Sequence, residues 1–406
     1  MADTSPPLPR RPPLLLIVAL TASGTMAMHI LIPSLPAMAS DLRISPGDAQ
    51  LTITLYLIGL AIGQLIHGPL SDRFGRRPVL LVALAAYTLA GIAAILAQSI
   101  AMLILARIVQ ALGGCAGLVL GRAVIRDVLP AKEAASQLAL VNLVMSLSPA
   151  GAPLIGGYLT VLFGWRAIFV LLAAVGTATL IAALLRLPET TPPRQGGPGG
   201  FAAMLAPYPR LLGSARFRGY TIAGSASTTA FYAFMAASPF IFVDVLHRPT
   251  EEVGLYYLVL MFGITFGSFA ASRLVLRFPS DRLLRAAISV AGLGALAFFA
   301  ITVAGFLSVP GVLASMFVFM FGAGLASPLA LTSAISTQPG MVGAASGLYD
   351  CNQMGYGALC TLVVSLWHQN AALPAALVLL ASAVLAQVAL LAARPRRKQP
   401  PGEGTP

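Results

Sequence analysis

Long apolar runs separated by short polar breaks recur from one end of the chain to the other. PVLLVALAAYTLAGIAAILA, residues 78–97, is one such run, and AALVLLASAVLAQVALLAA, residues 375–393, is another. About twenty apolar residues in a helix span a hydrocarbon core of roughly 30 Å. In lipid every backbone N–H and C=O needs a partner within its own segment, so these runs are expected to be helical. The pattern predicts twelve spans, near 13–38, 50–70, 78–97, 101–126, 136–162, 165–187, 219–246, 253–276, 282–305, 308–335, 341–366 and 371–393. The predicted fold class is an all-α membrane protein of twelve transmembrane helices in two pseudo-symmetric six-helix bundles.

One polar, Pro/Gly-rich stretch, 188–218, interrupts the series and divides the spans six and six. The expected domains are a tail (1–12), a first bundle (13–187), a linker (188–218), a second bundle (219–394) and a final tail (395–406). The first part of the linker has the composition of a flexible connector. Its second part, with Arg210, Arg216 and Arg218, reads either as a segment lying on the membrane surface or as plain linker. Two six-helix halves suit a carrier that rocks one bundle against the other.

The net charge of +12 suggests nucleic-acid binding until it is placed on this topology. With the first residue inside, all but Arg43, Arg107, Arg166 and Arg248 of the 25 Lys and Arg residues fall in inner loops, tails or span ends. That bias predicts both termini in the cytoplasm and membrane lipid, not nucleic acid, as the partner of the charge. Trp165 and Trp367 are expected at outer interfaces. Cys115, Cys351 and Cys360 lie inside spans as small packing residues, the four histidines lack metal-ligand spacing, and no Walker-type loop is present.

Charge is scarce, at 9% of residues, yet GPLSDRFGRRP (68–78) concentrates it in one turn. Gly68 would permit close helix approach, and Gly75 a tight turn. Asp72 can accept backbone N–H groups at a helix start or pair with an arginine. Arg73, Arg76 and Arg77 hold the loop inside. The stretch resembles the signature loop of the major facilitator superfamily. RIVQALGG (107–114) resembles that family's motif with a membrane-buried arginine. SPAGAPLIGGYL (148–159), with Gly151, Pro153, Gly156 and Gly157, resembles its antiporter motif. IPSLP (32–36), GQLIHGPLSDR, LPET (187–190) and ASPFIF (237–242) are similar to the bicyclomycin and chloramphenicol resistance group. The resemblance implies a twelve-helix drug:proton antiporter in which the 68–78 cluster latches the halves on the cytoplasmic side, and spans 1 and 4 line the cavity. His29 stands where that group commonly carries an aspartate, so the usual acidic proton carrier of the first half is missing.

Ionisable groups within spans are the first functional candidates. They are Arg107, His29 and Asp350, the last being the only acid deep in any span. Asp350 is expected to carry the coupling proton with His29 as modulator. Phe231, Tyr232, Phe234, Tyr349, Asn352, Gln353 and Tyr356 are candidates for a mixed aromatic and polar substrate site. The reading is a monomeric, proton-coupled exporter of small amphiphilic organic molecules in the inner membrane, with neutral, zwitterionic or anionic cargo favoured. It needs no cofactor or metal beyond the proton gradient, and it is not an enzyme. Rival readings are an exporter or facilitator of one metabolite, such as a sugar or amino acid, and a membrane sensor or scaffold without flux.

Overall fold

The computed structural model describes residues 11–191, 207–367 and 371–393. Residues 192–206 and the two tails, at 1–10 and 394–406, lie outside the described residues. The first half comprises α1 (Leu14–Leu42), α2 (Pro46–Phe74), α3 (Arg76–Ile95), α4 (Ile100–Val128), α5 (Ala131–Phe163) and α6 (Arg166–Arg186). The second comprises α7 (Ala215–Val245), α8 (Thr250–Leu274), α9 (Ser280–Val303), α10 (Val309–Ser336), α11 (Val342–Ser365) and α12 (Ala372–Ala392). Among the described residues, eleven of these helices are long and apolar enough to cross a membrane. α11 occupies the remaining predicted span, and Asp350, Asn352 and Gln353 lower its apolar content. A short helix, Pro207–Gly213, precedes α7.

Local chemistry sets the helix starts. Ser45 accepts the Asp48 N–H while the Asp48 carboxylate accepts the Ser45 N–H, a reciprocal cap with Pro46 at the first helical position of α2. Ser99 and Ser308 cap α4 and α10 through the N–H groups of Met102 and Gly311. α1 is broken: its first segment ends at His29, and a 3₁₀ turn at Ile32–Ser34 leads into Leu35–Leu42. α7 breaks between Thr228 and Phe231 and closes with a π-helical turn, Ile241–Val245. The rings of His29 and Tyr232, beside these two breaks, lie 6.3 Å apart across the halves.

α1 starts, α6 ends, α7 starts and α12 ends on one face, here termed the linker face. On the far face the halves touch. Thr54 of α2 donates to Thr361 of α11 at 2.8 Å. Gly254 of α8 lies so near α5 that a Cβ there would sit 2.6 Å from Leu154 Cα. Within the first half, a Cβ at Gly156 would fall 1.9 Å from the Ile30 carbonyl oxygen, so only glycine admits this approach of α5 to α1. Large apolar side chains such as Leu89 and Leu293 stand exposed on the outside of the bundle, as a lipid-facing surface requires. Trp165 departs from the expected interfacial belt. It is buried and donates its indole N–H to Asp41 at 3.0 Å, whereas Trp367 is exposed.

Candidate functional site

A cavity of about 620 Å³ lies between the two halves. It runs from His29 and Tyr232 at the helix breaks to Asp72, Arg126, Tyr208 and Gly343 at the linker ends of their elements. With the far face closed by α2–α11 and α5–α8, the cavity is reached from the linker face. Its wall is largely apolar, with Met28, Met145 and Met354 contributing flexible thioethers.

Of the predicted proton-coupling residues, Asp350 and His29 meet in this cavity and Arg107 does not. Asp350 Oδ2 of α11 faces Arg122 Nη1 of α4 at 3.9 Å, an ion pair joining the two halves. His29 Nδ1 lies 2.7 Å from the Thr25 carbonyl oxygen and donates to it, while the buried Nε2 has no hydrogen-bond partner among the described residues. Arg107 is fully buried inside the first half. Its guanidinium lies 4.0 Å from the Tyr56 ring centroid and 6.0 Å from that of Phe169, and Nη1 donates to Gln110 at 2.8 Å. It shares an azimuth with cavity-lining Leu118 but lies about three turns away toward the closed far face, so depth rather than direction removes it from the cavity.

The predicted substrate set also divides. Tyr232 and Gln353 line the cavity. Gln353 Nε2 donates to Thr228 at 2.9 Å and to the hydroxyl of Tyr349, which is buried behind the wall. Phe231 packs against Tyr232 with centroids 4.2 Å apart. Phe234 points the other way, into the core of the second half, edge-on to Phe242 and Phe298. Asn352 accepts from Ser225 at 2.8 Å, and Tyr356 shares a hydrogen bond with Ser382 of α12; neither lines the cavity. Each helical residue turns the azimuth by 100°, so a position two from a lining residue points away. That accounts for Phe234 beside Tyr232 and Asn352 beside Asp350.

Arg122, Gln64 and Tyr208 line the cavity and escaped the sequence reading. A signal for Arg122 existed: it stands four residues inside the predicted end of span 4, one turn from Arg126 on the same face. Tyr208 belongs to the short helix of the linker. Its phenol is pushed above the ordinary range, first by burial and then by the neighbouring Cys351 thiol, so it presents a neutral hydroxyl.

The 68–78 cluster is braced within the first half. Asp72 pairs with Arg76 at 2.7 Å, and Arg76 Nε reaches Asp127 at 3.2 Å. Glu189, just after α6, accepts the backbone N–H groups of Arg76 and Arg77 and so caps α3. Arg77 also donates to the Leu184 carbonyl, whereas Arg73 sits over the Phe74 ring. Gly75 has φ +94°, the turn its lack of a Cβ allows. Gly68 and Gly151 differ from expectation: among the described residues a Cβ at either would meet nothing within 4 Å. A Cβ at Gly157 would lie 3.4 Å from the Thr250 carbonyl oxygen of α8, and the Pro153 carbonyl abuts Gly254, so this part of the motif faces the opposite half.

A family model described as Major Facilitator Superfamily matches residues 15–360. The chain belongs to the Major Facilitator Superfamily. Among curated relatives, multidrug resistance protein D of Escherichia coli is 31% identical over 86% of this chain and 87% of its own. The bicyclomycin resistance protein homolog of Haemophilus influenzae is 28% identical over 84% and 86%. The chloramphenicol resistance protein of Pseudomonas aeruginosa is 29% identical over 86% and 83%. The superfamily fold is seen again in solved structures. A bacterial homologue of the human lysosomal transporter Spinster, in an inward-facing and unoccupied conformation, superposes with TM-score 0.71 at 16% identity, over 94% of this chain and 96% of that one. A D-xylose–proton symporter gives TM-score 0.71 at 13% identity, over 92% and 96%. At such identities the likeness concerns the fold. Membership of the superfamily makes the chain a transporter, and these relatives set it beside the superfamily's multidrug and antibiotic resistance proteins.

Proposed function

We propose that the protein is a proton-coupled secondary transporter that exports small amphiphilic organic molecules by alternating access. The observation that carries this reading is the cavity between the halves: sealed at one face, open at the other, more apolar than polar in its wall, and holding Asp350 opposite an arginine of the other half. Apolar walls with a few polar groups accept organic molecules of varied shape. The names of the curated relatives support cargo of this kind. The charge distribution supports an inner-membrane protein with both termini cytoplasmic, which makes the observed form inward-open. Asp350 is the proposed coupling carboxylate and His29, in the same cavity, its modulator. Arg107 is assigned to holding the first half together. The proton gradient supplies the energy and no cofactor is required.

The test compares cells with and without the protein across a panel of toxic organic compounds, followed by flux in proteoliposomes under an imposed pH gradient. Resistance to several unrelated compounds, with uphill substrate movement driven by protons, is the expected result. Saturable flux of a single metabolite, or binding without flux, would overturn the reading.

A further inference from the structure

Arg122 and Asp350 form a pair whose hydrogen-bonding capacity is mostly unused. Their nearest N–O distance, 3.9 Å, is too long for a hydrogen bond. Arg122 Nη2 reaches the Met145 sulfur at 3.8 Å, and among the described residues the buried Nε has no partner. A guanidinium offers five N–H donors, and a thioether is a weak acceptor for one of them. Both side chains are part-exposed to the cavity, on helices of opposite halves. The other charged groups on the wall reinforce the polarity. Arg126 lies one turn beyond Arg122 on α4, whereas Asp72 is already paired with Arg76. His29 and Tyr208, also on the wall, present a donor-bonded imidazole and a hydroxyl. Anionic and cationic recognition therefore sit side by side, with Met28, Met354 and Tyr232 forming an apolar wall deeper in.

Building on the exporter reading above, we propose that the preferred cargo is a zwitterionic amphiphile that inserts into this pair. Its anionic group binds Arg122, its cationic group binds Asp350, and its apolar body lies along the methionine wall. Insertion replaces one long ion pair by two short, charge-assisted contacts and strands neither charge. A purely anionic ligand would leave Asp350 unpaired on the wall, and a purely cationic one would leave Arg122 so, each an uncompensated charge. The arrangement also supplies the exchange rule of an antiporter. The cargo's cationic group and a proton compete for the same carboxylate, so one must leave before the other binds.

A matched trio tests this: 4-biphenylalanine, the corresponding 2-(4-biphenyl)ethylamine and 3-(4-biphenyl)propionate, each titrated calorimetrically into the purified full-length protein in lipid nanodiscs. The zwitterion should bind about tenfold tighter, or more, than either singly charged relative, since one charge-assisted hydrogen bond alone is worth about that factor. Asp350→Asn should erase the advantage over the propionate, and Arg122→Gln the advantage over the ethylamine. Both advantages should vanish in the double variant Arg122→Gln/Asp350→Asn, which leaves neither charge of the pair and serves if a single variant fails to fold. Equal affinity for the three probes in the native protein, or a zwitterion preference that survives the double variant, would overturn the inference. The resistance panel and proton-driven flux separate this from the reading it rests on. Intact proton-coupled export without zwitterion preference sinks only the cargo class, whereas absence of coupled flux for every compound sinks both.

Discussion

Asp350 and His29 share one cavity but hold different positions in it. Asp350 faces a counter-charge from the opposite half, whereas His29 is tied by Nδ1 to its own helix. Only the former pairing must change when the halves move. Asp350→Asn should therefore abolish proton movement driven by substrate in proteoliposomes while leaving substrate exchange at equal pH. His29→Gln should keep coupling and shift its pH dependence. The opposite outcome would make His29 the carrier. Arg107 should behave as a structural residue: Arg107→Met should lower the thermal midpoint in detergent and leave ligand affinity unchanged, because its contacts with Tyr56, Phe169 and Gln110 all lie within one half. Asp350, His29, Tyr232 and Gln353 were legible in the sequence because an ionisable or polar residue in an apolar run needs a reason. Phe234 misled because an apolar run with little polar contrast does not reveal which face meets the partner helix, and Asn352 and Tyr356 because polar side chains stand on more than one face of α11. Arg122 was hidden by its nearness to a span end, where arginine is ordinary.

At the scale of elements, hydropathy located the spans, since a hydrocarbon core demands length and little else. It could not show the breaks in α1 and α7, which fall at the Ile32–Ser34 turn and just after Thr228 without any loss of apolar character. Nor did it expose the role of Glu189, read only as part of a similar LPET stretch. Glu189 caps α3 from beyond α6, so Glu189→Ala should cost about 1 kcal/mol, as loss of an N-cap does. Hydrogen exchange at the Arg76 and Arg77 amides should quicken by about fivefold, the factor that such an energy sets. Unchanged exchange would deny the cap. Gly75→Ala should act in the same direction, since its φ is +94° and a Cβ would sit 2.6 Å from Glu189 Oε2.

For the whole molecule, Asp72 pairs among the described residues only with Arg76 of its own half while the linker face is open. If it latches the halves when that face closes, Asp72→Asn should slow transport severely, leave expression and ligand affinity near normal, and shift the population toward the form open at the linker face. Accessibility of a single cysteine at Gly343, in an otherwise cysteine-free background, reports that population. Lost affinity with an unshifted population would place Asp72 in substrate binding instead. The fold as a whole was readable from twelve runs and one interruption, but the closed far face was not, because close contacts such as Gly254 against Leu154 are set between helices distant in sequence. The methionines of the cavity wall carry a last consequence. Met145 and Met354 stand part-exposed in the cavity that opens at the linker face, and peroxide converts such thioethers to polar, chiral sulfoxides. An oxidised carrier would offer a wetter, stiffer wall, so oxidative stress would shift its cargo range toward more polar molecules until sulfoxide reductases restored the thioethers.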